Sequence, residues 1–271
     1  MRTVVHHKAG REFDDLAERL VPVVEEIVPL VEEVTGLALP DAVVIRTMTV
    51  RKWQQAHWRQ SKRRLREETL QLRPSINECR AAKAHAVSLR NDRRDAWLSI
   101  GAQLVTFRRD HPELAVLPEA LREAGLLHDE AFLRKLVSHE LTHLAQYTTD
   151  DDAWSLSRTL YPDQRGVADR DYTLLLEGHA YWADRQITTR LLGAPVPTAE
   201  ISPHATPRYR AYADTPGRAE ALKYLTTAID SVSRIVDAKG LDTFNEVWSS
   251  PELVPLKSEA ATPELWLKRF G

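Results

Sequence analysis

Between Leu136 and Tyr147 the chain reads Leu-Val-Ser-His-Glu-Leu-Thr-His-Leu-Ala-Gln-Tyr, an apolar helical pattern broken by His139, Glu140 and His143. Positions i and i+4 of an α-helix lie one above the other on the same face, so both imidazoles can reach one ion. Glu140 stands about 100° round the helix from His139, close enough to act on a metal-bound water without ligating the ion. Val137, Leu141, Leu144 and Ala145 are apolar, and neither proline nor another charge separates the histidines. The rest of the chain is therefore expected to build, cover or feed this stretch.

Composition narrows the classes. At 271 residues the chain can bury a sizeable core, and 43% hydrophobic with 28% charged residues is ordinary for a soluble globular protein. A net charge of -2 argues against nucleic acid as a partner by bulk charge. Cys79, the one cysteine, excludes an intramolecular disulfide and a cysteine-based zinc site. Residues 1–10 lack the apolar run of a signal peptide, and no stretch reaches membrane-spanning length, so a cytoplasmic protein with no membrane partner is expected.

Residues 11–36 read as a helix with Phe13, Leu16, Leu20, Ile27, Leu30, Val31 and Val34 near 3.6-residue spacing and Gly36 as C-cap. Pro22 and Pro29 predict a kink or two shorter pieces. Ala42 to Met48 is a β-branched strand. Residues 50–72 are helical and basic, with Trp53, His57 and Trp58 among the cations. Pairs Arg63–Glu67 and Arg64–Glu68 favour a solvated helix face over a nucleic-acid patch. A strand is expected at 84–89, a turn at Asn91-Asp92, and strand, bend at Gly101 and strand again over Asp95 to Phe107. Residues 111–125 read as a loop with a short helix. The His139 helix is expected to begin at Asp129 as N-cap and run to about Tyr147. A second helix follows from Asp171 to Leu192, closed by Gly193. Five prolines make 193–217 a surface loop, before an amphipathic helix over 218–238 and a short one from Pro263.

Catalytic zinc takes three protein ligands and leaves a fourth position open. His139 and His143 supply two, and Glu177 or His179 on the second helix must supply the third. Two residues apart means about 200° of rotation, so one of them at most faces the ion. Glu177 shares its stripe with Asp184, a carboxylate placed to hold the far nitrogen of a ligand histidine. His179 lies among Leu175, Leu176, Trp182 and Ala183, which suits packing or a role as oxyanion donor. Glu177 is the favoured ligand and His179 the alternative.

With these residues the chain resembles the zincins, in the glutamate-ligand branch. More closely, it is similar to an uncharacterised actinobacterial zincin-like metallopeptidase family, some members of which are labelled as associated with deazaflavin coenzyme biosynthesis. Three blocks carry the likeness: Val137 to Tyr147, Leu175 to Ala180, and a tail in which Gly240 to Trp248 precedes Ser250 to Pro255 and Pro263 to Arg269. The resemblance implies an α+β, predominantly helical fold: one zincin-like domain over 1–271, with a sheet-containing sublobe 1–127 and a helical sublobe 128–271. It also implies an edge strand across the cleft, Gln103, Leu104, Val105, Thr106 and Phe107, able to pair with an extended peptide.

The function expected is zinc-dependent peptide hydrolysis, one Zn2+ per chain held by His139, His143 and Glu177, with Glu140 as general base. Tyr172, His179, Tyr181, Tyr209 and Tyr212 are candidate oxyanion donors, with Asp184 behind a ligand. The partner is a peptide or protein substrate. Two alternatives use the same residues. A non-haem Fe(II) enzyme shares the two-histidine, one-carboxylate set. A non-catalytic metal-stabilised protein would contact an acidic partner through helix 50–66.

Overall fold

The computed structural model describes residues 2–109, 111–260 and 262–271. The chain opens with β1 (Arg2–Lys8), α1 (Asp14–Thr35) and β2 (Ala42–Met48), a crossover that sets β1 and β2 parallel. β3 (Ala102–Arg108) and β4 (His111–Val116) complete a four-stranded sheet in the order β1-β2-β4-β3. β4 lies parallel to β2, and β3 runs antiparallel to β4 at the edge. The fold is α+β and predominantly helical, as expected.

Side-chain alternation divides the sheet between two cores. Val43, Ile45, Leu104, Leu114 and Val116 join the main cluster with α1 and the later helices. Met48, Val105 and Ala115 face a smaller one with Trp53, Trp97, Leu98 and Leu117. The strand β1 escaped the sequence reading because His6, His7 and Lys8 carry no strand pattern. β4 is a strand where a loop is expected, its strand character masked by Pro112 near its start.

Several other elements depart from expectation. α1 is a single helix with both prolines inside it. Pro22 and Pro29 lie seven residues apart on the exposed side, where water meets the carbonyls they leave without partners. Residues 84–89 are not a strand: they belong to α3 (Ile76–Ala96), which also absorbs Asn91-Asp92. Ser75 and Glu78 form a reciprocal capping box at its start. Ala82 and Ala86, one turn apart, pack on Leu160 and Tyr161. The strand expected before Gly101 is a 3-10 turn at Trp97–Ser99.

The basic helix α2 (Val50–Leu72) braces β3. Arg63 and Arg64 make neither of the expected i,i+4 pairs. Arg63 donates to the Phe107 and Thr106 carbonyls at 2.9 and 3.3 Å, and Gln60 donates to the Thr106 carbonyl at 2.9 Å. Arg64 donates to the Arg158 carbonyl at 2.7 Å, while Glu68 accepts from the Leu160 amide at 2.8 Å. His57 is buried between Trp53 and Phe107 and hydrogen bonds Gln103.

The remaining helices form the other half: α4 (Pro118–Glu123), α5 (Glu130–Thr149), α6 (Asp151–Leu156), α7 (Tyr172–Leu192), α8 (Pro207–Ala213), α9 (Pro216–Lys239), α10 (Leu241–Asn245) and α11 (Pro263–Leu267). Asp129 caps α5 by accepting from the Phe132 amide, and Asp171 caps α7 by accepting from that of Leu174. α7 packs on both α5 and α9. Phe244, Trp248, Trp266 and Phe270 of the tail bury themselves in the main cluster.

Gly178 sets the spacing of α7 and α9. A Cβ there would lie 2.8 Å from the Ala228 carbonyl oxygen. Gly178→Ala is expected to cost about 1–3 kcal/mol in urea unfolding, and wild-type stability in that variant would contradict the close approach. Burial first, then Arg93 and Arg158, pushes the pKa of His57 well below its ordinary value. The unfolded chain takes up that proton below about pH 6.5, so the stability contributed by neutral His57 is present above this pH and lost as pH falls. Unfolding free energy should decline from pH 6.5 to 5, by up to about 1.4 kcal/mol per unit from this residue. His57→Gln should flatten the slope.

Candidate metal centre

His139 and His143 stand one turn apart in the middle of α5, and Glu177 faces them from the second turn of α7. The two Nε2 atoms are 3.1 Å apart. Glu177 places its carboxylate oxygens 3.4 Å from His139 Nε2 and 3.6 Å from His143 Nε2. One ligand atom from each residue lies within 4.8 Å of the others.

Both Nδ1 atoms are engaged on the far side of the rings. His139 Nδ1 donates to Asp184 at 3.3 Å and His143 Nδ1 donates to Gln146 Oε1 at 2.8 Å. With Nδ1 carrying the proton, each Nε2 presents a lone pair. Two such lone pairs and a carboxylate converge on one point, where they could hold a cation between them. Ligands at about 2.0–2.1 Å in tetrahedral positions lie about 3.3 Å from one another, close to the three separations observed. The donor set fits a borderline divalent metal. Burial opposes a charged imidazolium at His139, yet Asp184, Glu177 and Glu140 outweigh it and carry its pKa up to about 10. Burial likewise works against the Glu177 carboxylate, and the two histidines reverse this and hold its pKa below the usual range. The pocket is thus electrostatically set for positive charge.

Glu140 is buried, and burial raises its pKa against the pull of His139 and His143. Its carboxylate hydrogen bonds the backbone of Leu104, while Oε2 is buried with no hydrogen-bond partner among the described residues. That orphaned oxygen is one residue from the ligand set.

A cavity of about 430 Å3 opens on the cluster. Glu140, Tyr181, Tyr209 and Asp184 line it together with the three ligands. The ring of Tyr181 lies 4.3 Å from that of His139, centroid to centroid. Burial, with Glu177 and Asp184 adding to it, raises the pKa of Tyr181 and keeps the hydroxyl protonated. Tyr209 also lines the cavity, and the other oxyanion candidates lie elsewhere. His179 is enclosed by Trp182, Phe244 and Trp248, accepts from Gln146 Nε2 at 3.1 Å and is held neutral by burial, its pKa lowered to about 3. Tyr172 is buried at the start of α7, and neither it nor Tyr212 lines the cavity.

Of the edge segment expected to face substrate, Gln103 and Leu104 line the cavity, joined by Ser99, Ile100, Gly101 and Ala102. Val105 points into the smaller core. The outward carbonyl of Thr106 and that of Phe107 are occupied by Gln60 and Arg63. The exposed edge is therefore shorter and lies nearer the chain's N-terminal end than expected.

Three residues that sequence reasoning passed over complete the site. Gln146 braces His143, the Leu176 carbonyl and His179 at once. Its i+3 position after His143 was a readable signal. Arg158 stacks on Trp154, 3.8 Å from its ring centroid, and lines the cavity beside Leu104. Burial, with Arg64 adding to it, lowers its pKa to about 9, so it remains a cation at neutral pH. Trp154 at i−4 was its one sequence signal. Lys135, one turn before His139, also lines the cavity.

No protein-family model matches the chain, and no curated protein matches it. The chain is similar in fold to a solved structure described as a putative hydrolase with a novel fold from Chloroflexus aurantiacus. The TM-score is 0.60 at 20% identity, over 96% of this chain and 91% of that one. No helix among the described residues is long and apolar enough to cross a membrane.

If the cluster holds a divalent metal, alanine at His139, His143 or Glu177 is expected to abolish its binding, read by elemental analysis. Asp184→Asn and Gln146→Ala should weaken it about 10–100-fold in chelator competition. Full metal in Glu177→Ala, with loss in His179→Ala, would instead make His179 the third ligand.

Proposed function

We propose that this protein is a zinc-dependent hydrolase of peptide bonds, of the glutamate-ligand zincin type. The observation that carries the reading is the convergence of His139 Nε2, His143 Nε2 and Glu177 beside the unpartnered oxygen of Glu140. The hydrolase description of the structural neighbour agrees with it. His139, His143 and Glu177 would hold the ion, which when bound supplies Lewis-acid activation of water and of the scissile carbonyl.

The chain's own groups do the rest. Glu140, cavity-lining and with a raised pKa and an unpartnered oxygen, accepts the proton of the attacking water and returns it to the leaving amine. Tyr181, protonated and cavity-lining, donates to the oxyanion. Asp184 and Gln146 keep both imidazoles in the tautomer that presents Nε2. The segment Ser99 to Leu104 lines the cavity, where an extended substrate can lie beside Ala102 at the strand's edge.

Two variants test the assignment against peptide libraries. Glu140→Gln should lower kcat/KM about 10²–10⁴-fold while retaining stoichiometric zinc. Tyr181→Phe should lower kcat by about 10²-fold with little change in KM. Failure of zinc-loaded wild type to cleave any library peptide would sink the peptidase reading, and activity undiminished in Glu140→Gln would favour iron-type chemistry at the same ligands.

A further inference from the structure

Lys135 is a buried ammonium with almost nothing to bind. Its exposure is 4%, and its Nζ makes a single hydrogen bond, to Thr198 Oγ1 at 2.6 Å. The ring centroids of Tyr181 and Phe132 lie 5.7 and 6.0 Å away. An ammonium has three protons to donate, and no carboxylate among the described residues comes within ion-pair distance of this one. Asp184, whose charge reaches it, turns Oδ2 to His139 and keeps its other oxygen buried with no hydrogen-bond partner among the described residues. A desolvated cation with no carboxylate in contact is costly, and the cost falls when an anion arrives. Burial pushes the Lys135 pKa down, Asp184 offsets part of this, and Arg185 and Arg218 add to the lowering.

The placement of this cation matters as much as its isolation. Residues 135, 139 and 143 recur at i+4 spacing, so Lys135 shares one stripe of α5 with both histidines. Lys135, Thr198 and Tyr181 all line the same cavity as the ligand cluster. Four residues of helix rise about 6 Å, whereas an extended peptide advances about 3.3 Å per residue. That rise matches about two residues of extended peptide, so a carboxylate on the residue flanking the scissile bond, with the reach of its own side chain or chain end added, comes within range of the Lys135 side chain while the carbonyl meets the His-His-Glu cluster.

We propose that Lys135 and Thr198 form a carboxylate-binding pocket one residue from the cut, selecting peptides that carry a carboxylate on the residue flanking the scissile bond. This carboxylate is either the free end of the chain or an Asp or Glu side chain. The inference rests on the hydrolase reading above for its meaning, but binding at the pocket needs no turnover.

The test uses the zinc-loaded Glu140→Gln protein and two matched pairs of acetylated, randomised tetrapeptide mixtures, titrated by calorimetry. One pair compares free C-terminal acid with amide, and the other, amidated throughout, compares a fixed Asp with a fixed Asn. In one pair the acid form should bind at least about tenfold tighter, a modest return for pairing a buried cation. That pair identifies the source of the carboxylate. The preference should vanish when Lys135→Met is added and persist with Lys135→Arg. If Lys135→Met does not fold, Lys135→Gln, which keeps a donor for Thr198, is the neutral variant. Equal affinity within both pairs, no binding of any mixture, or a preference that survives the neutral variant overturns the proposal. Wild type that cleaves none of the mixtures, while the affinities behave as stated, would remove the hydrolase reading and leave the pocket standing.

Discussion

Three electron-pair donors are forced together between α5 and α7, and the surrounding structure is arranged to keep them there. His139 and His143 point Nε2 at each other across 3.1 Å, with the Glu177 carboxylate closing the triangle. Left alone, such groups repel. Asp184 and Gln146 hold the rings from behind, so neither imidazole can turn away. Gln146 ties the same turn of α5 to the Leu176 carbonyl, which makes the helix–helix contact part of the polar site. Gly178, next to Glu177, lets α9 press α7 from the opposite side. Ligand geometry and core packing are thus one constraint.

The buried charges around this triangle fall into a pattern of unmet needs. Glu140 keeps one oxygen without a partner among the described residues, Lys135 has one hydrogen bond, and Arg158 stacks on Trp154 with one long hydrogen bond to the Leu104 carbonyl. Groups so committed to low-dielectric surroundings are stable there only while the missing partner is available from solvent or substrate. The proline-rich segment after α7 forms part of this wall through Val196 to Thr198 and Glu200 to Pro203.

The site was more legible than the sheet that frames it. The i+4 histidines, the Glu177–Asp184 stripe and the Asp129 and Asp171 caps depend on local helix geometry, which fixes direction from spacing alone. The polar stripe of α7 turns Glu177 to the two histidines, and its apolar side turns His179 to Phe244. β1, α3 and β4 were misread or missed because their character comes from distant partners. Polar His6 and His7 become strand by pairing with β2, and Ala82 and Ala86 are helical core only because Leu160 and Tyr161 cover them. Arg63 and Arg64 had helical partners within reach and took backbone carbonyls instead, a choice set by tertiary proximity.

Those carbonyls give β3 an asymmetry along its length. At its far end the hydrogen-bonding edge is saturated by Gln60 and Arg63, while toward Gly101 it opens on the cavity. Sheet growth by a second copy of the chain requires a ladder of several consecutive pairs, and here it would be stopped after about two or three residues, roughly 10 Å of strand. Gln60 and Arg63 of α2, two side chains outside the metal cluster, thereby limit how much of the strand's edge is left for pairing and confine it to the end beside the cavity.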